Sequence, residues 1–254
     1  MRVRFTSIAW AGALSLLLSC SSQPLDDGAT LGGASGTGGH SPTAGAGSGA
    51  PSACSGALRQ SLSLIDQVST GAVSVISDTG AERTLYIDAS VGGINGQDKS
   101  PWVYVSLASG QAVAVTDIDA LSSTAWDLAF KRFVVRTNGG DSGPGQGGAI
   151  RIALPWAKVD ASTLGQQTLP KETWFDADCN LNVDQNMELI TTFTGWSQYD
   201  EALHVLNATP DVVYITAAAD GSLYKVAILD YYSTPSGAHG SVAGHYKVQV
   251  APLQ

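Results

Sequence analysis

The sequence has 254 residues and a formal net charge of −9, from 13 Lys and Arg against 22 Asp and Glu. The basic residues form no cluster, which excludes nucleic-acid binding through a basic surface. A hydrophobic fraction of 44% suffices for a globular core, and 29 glycines, above the usual share of about 7%, predict many turns.

The N-terminus carries the marks of an export signal. Arg2 and Arg4 precede an apolar run over residues 8–18, which leads into Leu-Leu-Ser-Cys ending at Cys20. A run of about 11 residues is too short for a membrane-spanning helix, which needs about 20. The motif resembles the bacterial lipobox, so residues 1–19 are predicted to be a lipoprotein signal peptide and Cys20 the lipidated residue. The alternative is an ordinary cleaved signal followed by a cysteine without a role.

The next segment, residues 21–53, consists mainly of Gly, Ser, Ala, Thr and Pro and shows no apolar periodicity. Such a segment buries too little apolar surface to offset the entropy lost on ordering. We therefore predict that residues 20–53 comprise the lipidated Cys20 and a disordered tether. The tether holds one domain, residues 54–254, away from the membrane.

Two cysteines, Cys54 and Cys179, remain once Cys20 is assigned to lipid. Thiols oxidise in an exported protein, so the sequence predicts a disulfide between Cys54 and Cys179. Two free thiols are the alternative.

The start of the domain predicts one short helix followed by strands. Residues 57–68 place Leu58, Leu62 and Ile65 on one helical face. Two hairpins are expected next, the first from residues 72–77 and 83–89, the second from residues 102–107 and 111–116.

The rest of the domain continues in strands. Aromatic and β-branched residues predict half-buried strands at residues 126–137 and 149–156. Residues 212–216 and 222–229 flank an Asp-Gly pair, a strong hairpin signal, and residues 246–250 alternate as a last strand. The predicted fold class is all-β, a single domain of antiparallel strands and hairpins.

Motifs typical of catalysis are incomplete. The glycine-rich residues 139–148 lack the following helix and the Gly-Lys-Ser/Thr of a phosphate-binding loop. Gly-Asp-Ser-Gly at residues 140–143 resembles the nucleophile segment of trypsin-like proteases. The only earlier histidine is His40, in the tether, so no triad assembles in that order. The sequence therefore predicts no enzyme.

Motifs typical of metal binding are incomplete as well. Residues 176–187 alternate oxygen ligands like an EF-hand, but Leu181 stands at the sixth position and Met187 at the twelfth. An EF-hand is excluded, and a looser oxygen-ligated site stays open. His239 and His245 lack the spacing of a zinc pair and a nearby third ligand, which favours surface and strand-edge positions.

The run AWDLAFKRFVVRTNGGDSGPGQGGA, residues 125–149, closely resembles the HmuY family, in which a strand passes directly into this glycine loop. Residues 86–90 and 220–232 add to the resemblance, which covers about residues 83–252. It implies an almost entirely β domain in a surface lipoprotein of Gram-negative bacteria, lipid-anchored at the outer membrane or cell surface. It implies no catalysis.

The best-known members of this family bind haem and hand it to an uptake receptor. The resemblance thus implies haem as the ligand, and haem-carrying proteins, an outer-membrane uptake receptor and the membrane as partners. Family members hold haem iron through loops between the glycine loop and the final strands, by two histidines or, in some relatives, by methionines. Here that stretch offers His204 and Met187 as axial candidates. His204 lies between apolar neighbours and is interpreted as part of a strand.

Aromatic residues of the same stretch have two interpretations, walls for a planar ligand or ordinary core, with core favoured. They are Trp174, Phe175, Phe193, Trp196 and Tyr199. The alternative function is a non-catalytic surface module of the same fold that binds protein or glycan without haem.

Four residues of the family-like run are interpreted as a signature of the fold rather than a site. They are Trp126, Phe130, Arg132 and Arg136. We expect the glycines to let backbones approach closely and the two arginines to bind carbonyls of the glycine loop.

Overall fold

The computed structural model describes residues 54, 64–91, 99–184 and 189–254. The predicted signal peptide at residues 1–19, the tether at 20–53 with Cys20, and Met187 lie outside the described residues, as do residues 57–63 of the predicted helix. The described end of that segment is not helical, and its Val68 forms an isolated bridge with Thr116. Within the described ranges, no helix has the length and hydropathy of a membrane span.

The described residues form twelve strands and three short helices. The strands are β1 Val73–Asp78, β2 Arg83–Asp88, β3 Val103–Ser106, β4 Gln111–Ala112, β5 Leu128–Lys131, β6 Val134–Thr137, β7 Gly148–Ile152, β8 Ser197–Asp200, β9 Val205–Ala208, β10 Val213–Ala217, β11 Leu223–Asp230 and β12 His245–Pro252. The helices are α1 Asp117–Ala120, a 3₁₀ helix Trp156–Lys158 and α2 Ala161–Leu164.

These strands form three antiparallel sheets. The largest has the order β1-β2-β12-β11-β10-β7, the second has the order β4-β3-β5-β6, and β8 pairs with β9 alone. This architecture confirms the all-β class expected from the sequence.

The core lies between the two larger sheets. Side chains alternate along each strand, so every second residue of a strand points into this core. Val103 and Val105 of β3 pack in the same cluster as Leu85 and Ile87 of β2. Tyr104, between the two valines, points to a second cluster on the other face of its sheet. A third cluster, around the outer face of β10 and β11, includes the short helices after β7. Both faces of each larger sheet are thereby partly covered.

Several predicted boundaries need correction. Residues 126–137 are not one strand but the hairpin of β5 and β6, which reverses at Arg132 with a φ of +52°. β7 ends at Ile152, and the 3₁₀ helix begins at Trp156 after Pro155. Neither α1, α2 nor the β8–β9 hairpin is among the predicted elements.

The glycine loop behaves as expected at its crowded positions. A Cβ atom on Gly139 would lie 2.0 Å from the carbonyl oxygen of Gly147. Gly140 has a φ of +64°, and its Cβ would lie 2.1 Å from the carbonyl oxygen of Glu172. Only glycine allows these backbones to approach so closely.

The expected role of the arginines is wrong. Arg132 donates to the carbonyl of Ala243, outside the glycine loop, at 3.2 Å. Arg136 is fully buried and donates to the hydroxyls of Ser142 and Tyr104 rather than to a loop carbonyl. Its guanidinium also lies against aromatic rings, with Trp102 nearest at 4.4 Å. Ring faces and hydroxyls, rather than the loop backbone, therefore surround this buried guanidinium.

Candidate functional site

A cavity of about 750 Å³ opens beside the β8–β9 hairpin. This volume falls within the range of about 300–1,000 Å³ that small-molecule sites occupy. Its walls come from the β5–β6 hairpin, the segment around residues 189–197 and the β8–β9 hairpin. Residues at the two ends of the β11–β12 connection complete the lining.

The floor of the cavity is aromatic and fixed in place. Phe193, Trp196 and Tyr231 line it and are almost fully buried. The Trp196 Nε1 donates to the Phe133 carbonyl at 2.9 Å, and Phe193 stacks on Tyr214 with ring centroids 4.3 Å apart. Held from behind in this way, these rings form a rigid apolar base beneath the cavity.

The rim carries a histidine paired with a tyrosine. Tyr199 of β8 and His204 both line the cavity, and the Tyr199 hydroxyl lies 2.8 Å from the His204 Nδ1. Both side chains are exposed. The sequence predicts that His204 is part of a strand, and this is wrong. His204 is the last turn residue before β9, with a φ of +56°. The Asp200 carboxylate stabilises this turn by accepting hydrogen bonds from the Ala202 and Leu203 amides.

A histidine in this setting is suited to bind a metal through one nitrogen. Because Nδ1 is engaged by the Tyr199 hydroxyl, Nε2 is the atom left for a ligand. Metal-binding histidines commonly donate their second ring N–H to an outer acceptor, which fixes the tautomer and the ring orientation.

Two charged side chains, Arg132 and Asp184, also line the cavity. Arg132 is 9% exposed. The Tyr246 hydroxyl donates to the Arg132 carbonyl at 2.6 Å. The sequence offered no sign that this arginine faces a cavity, because its position depends on a reversal inside a segment with the pattern of one continuous strand.

The five aromatic residues with two interpretations separate into two groups. Phe193, Trp196 and Tyr199 line the cavity. Trp174 and Phe175 instead pack with Cys54 in a separate cluster that includes Cys179. Phe193 and Trp196 also belong to the main core, so they serve both purposes.

Cys54 and Cys179 form a disulfide, the pairing expected from the cysteine count, with their Cα atoms 5.3 Å apart. It links the described start of the domain to the segment that precedes the cavity wall.

Glu172 supports the cavity wall from behind, a role that sequence reasoning missed. Its buried carboxylate accepts hydrogen bonds from the amides and hydroxyls of Thr137 and Thr192 and from the Trp174 Nε1. Burial raises the pKa of this carboxyl, and these hydrogen bonds oppose the rise. Thr192 stands between the cavity-lining Thr191 and Phe193, so Glu172 fixes that stretch of wall. Nothing in the pattern around residue 172 distinguishes it from a surface glutamate.

The remaining candidates lie elsewhere. The His245 Nδ1 is 2.5 Å from the Tyr86 hydroxyl, and the His239 Nδ1 is 3.0 Å from an Asp230 carboxylate oxygen. Asp176 caps its own turn by accepting from the side-chain and backbone amides of Asn180, which lower the pKa of its carboxyl. Over the described ranges, no three His, Cys, Asp or Glu side chains come together as a metal site.

The chain matches a family described as HmuY protein over residues 98–246. A search of curated proteins found no match. Similar solved structures include a Bacteroides fragilis protein provisionally named a lipoprotein, at 17% identity and a TM-score of 0.42, covering 71% of this chain and 94% of that one. A Bacteroides vulgatus protein provisionally named HmuY-like and heme binding has 16% identity and a TM-score of 0.42, covering 74% and 99%. The apo HmuY analog of Tannerella forsythia has 18% identity and a TM-score of 0.40, covering 67% and 96%.

Proposed function

The chain belongs to the HmuY family, and from this premise we propose that it binds haem without catalysis, as a lipid-anchored protein of the cell envelope. The observation that carries the proposal is the cavity beside β8–β9, with its aromatic floor and His204 at the rim. Haem captured there would pass to an uptake receptor in the outer membrane.

The cavity fits haem in three respects. Its volume of about 750 Å³ lies well inside the range of small-molecule sites. Ile190 and Tyr199, which line the cavity and are 42% and 56% exposed, offer the apolar surface that a planar macrocycle needs. His204 supplies an imidazole, a common axial ligand of haem iron.

Tyr199 has a positioning role in this proposal. Iron binding through Nε2 requires that the proton of the neutral ring sits on Nδ1, where it is donated to the Tyr199 oxygen. In that tautomer the hydrogen bond holds the imidazole ring in one orientation, with Nε2 left for the iron. Tyr199→Phe is expected to weaken haem binding while keeping the histidine ligand.

Met187 is the second axial candidate. It lies outside the described residues, between Asp184 and Leu189, which both line the cavity. A thioether with an imidazole is an established axial pair for haem iron. We assign the second axial position to Met187 on these grounds.

The test is a titration of the purified protein with haemin, followed by its Soret absorbance. The wild type is expected to give a sharpened band of six-coordinate, low-spin iron. His204→Ala is expected to weaken the complex, and Met187→Ala to change the coordination. His239→Ala and His245→Ala are matched controls, because neither histidine lines the cavity. A loss confined to the His245 variant would refute the assignment of the site.

A non-catalytic module that binds protein or glycan is the second candidate. Exposed side chains next to the cavity favour it, since Leu203 is 70% exposed and Tyr199 56% exposed. A flat haemin titration with folded wild-type protein would favour this function over haem capture.

A further inference from the structure

The two charged residues that line the cavity differ in their polar partners, and this difference bears on the ligand. In the described part of the lining, Arg132 carries the positive charge and Asp184 the negative charge, while most other residues are aromatic, aliphatic or neutral. Asp184 has a polar partner of its own. The described ion pairs, in contrast, do not include Arg132.

Arg132 is held rigidly but keeps unused donors. Its amide donates to the Ala89 carbonyl at 3.0 Å, and its own carbonyl accepts from the Tyr246 hydroxyl. Among the described residues, the guanidinium donates one hydrogen bond, to the Ala243 carbonyl. A guanidinium has five N–H donors in a planar fork that matches a carboxylate. A carboxylate in the cavity therefore has a matching partner in this fork.

The charge of Arg132 acts on the cavity floor. Burial raises the pKa of Tyr231 to about 12, and the nearby Arg132 charge opposes that rise. Tyr231 and Trp196 lie at the floor with ring centroids 5.5 Å apart. A planar ligand in the cavity therefore lies within the field of the arginine.

We propose that Arg132 recognises a carboxylate of the bound ligand, so that the cavity selects planar tetrapyrroles that carry acidic side chains. This inference rests on the proposed function and adds what the ligand must carry besides iron. A carboxylate is attracted to Arg132 and repelled by Asp184, which sets the orientation of the ring in the cavity. Recognition by ring and carboxylate does not depend on the metal, so metal-free porphyrin binds as well.

The test compares protoporphyrin IX with its dimethyl ester, which has the same ring without charge. Binding of each to the purified protein is followed by quenching of tryptophan fluorescence, to which Trp196 contributes from the cavity floor. Loss of a charge-assisted hydrogen bond predicts about 10- to 100-fold weaker binding of the ester to the wild type.

Arg132→Asn removes the charge with a residue that tolerates a positive φ. This variant is expected to bind the acid about 10- to 100-fold more weakly and to bind acid and ester alike, because both changes remove one interaction. Lys158→Asn is the control, since it removes an exposed positive charge outside the cavity lining. It should keep the wild-type preference for the acid.

Equal binding of acid and ester to the wild type would overturn the inference, whether or not Arg132→Asn folds. So would an unchanged preference in a folded Arg132→Asn variant. If haemin binds but protoporphyrin IX does not, the inference fails while the proposed function stands. If neither binds, both fail.

Discussion

Glu172 gives the sharpest prediction for stability, because one buried carboxylate accepts five hydrogen bonds from three residues. The change we consider is Glu172→Gln, which keeps the shape but replaces one acceptor oxygen with an NH₂ donor. With the amide oxygen toward Trp174 and the Thr192 amide, the NH₂ group faces the Thr137 amide and two hydroxyls.

The loss of stability in Glu172→Gln depends on which of the surrounding donors can also act as acceptors. The hydroxyls of Thr137 and Thr192 can rotate and accept from the new NH₂ group. The Thr137 N–H cannot, so one buried donor loses its partner, at about 1–3 kcal/mol of unfolding free energy. Glu172→Ala removes the acceptor from three fixed N–H donors, those of Thr137, Thr192 and the Trp174 ring, and should cost more than about 3 kcal/mol.

Denaturant unfolding of wild type, Glu172→Gln and Glu172→Ala at one pH measures these costs. Glu82→Gln is the matched control, because the exposed Glu82 accepts a single bond from Trp156 and should change stability by less than about 0.5 kcal/mol. A Glu172→Gln variant as stable as this control would refute the reasoning.

The raised pKa of Glu172 adds a pH dependence of known sign. The folded state holds the proton of this carboxyl more tightly than the unfolded chain, whose carboxyl has a pKa of about 4.5. The stabilisation is complete below that pKa and is lost as pH rises through the folded-state pKa. The stability difference between wild type and Glu172→Gln should therefore shrink as pH rises above about 4.5. A difference that grows would contradict the shift.

Three further predictions concern the covalent features and the glycine loop. Intact-mass analysis after alkylation should find no free thiol at Cys54 or Cys179, whereas two alkylated cysteines without reduction would exclude the disulfide. Replacing both by Ala should cost about 4–5 kcal/mol on the chain-entropy account, because the disulfide spans 125 residues. Gly140→Ala should lower the thermal midpoint clearly more than Gly165→Ala. Both glycines have positive φ, but of the two only Gly140 has an atom within 4 Å of the new Cβ. Equal shifts would mean that the structure removes the close contact at little cost in stability. A fatty-acid analogue should label the wild type in a bacterial lipoprotein pathway and leave Cys20→Ala unlabelled, and a labelled Cys20→Ala would disprove the lipid site.

The fold class could be predicted because alternation and turn signals are local. The Asp-Gly pair at residues 220–221 lies between β10 and β11, and residues 102–107 and 83–89 contain β3 and β2. The boundaries of strands could not be predicted where a contact between distant parts of the chain determines them. Residues 126–137 have the aromatic and β-branched pattern of one strand, and the reversal at Arg132 is held by the Tyr246 hydroxyl from a distant strand.

The site could be predicted only in part. The sequence makes His204 a candidate because few residues in that stretch can bind a metal, and the structure places it at the cavity rim with Tyr199. The sequence places Arg132 inside a continuous strand and suggests a contact with the glycine loop, and Glu172, after a lysine, has the pattern of a surface residue. Their burial results from the packing of segments far apart in the chain, which no local pattern records.

The most direct test of haem binding in this cavity is a haemin titration of the wild type beside a variant with the cavity filled. Leu206 of β9 lines the cavity, and Leu206→Trp places a large ring in that space. Circular dichroism and the thermal midpoint verify that the variant is folded. The wild type should saturate at about one equivalent of haemin with a sharpened Soret band, while folded Leu206→Trp should show no saturable band. A flat titration of the wild type, or equal saturation of both proteins, would contradict haem binding at this site.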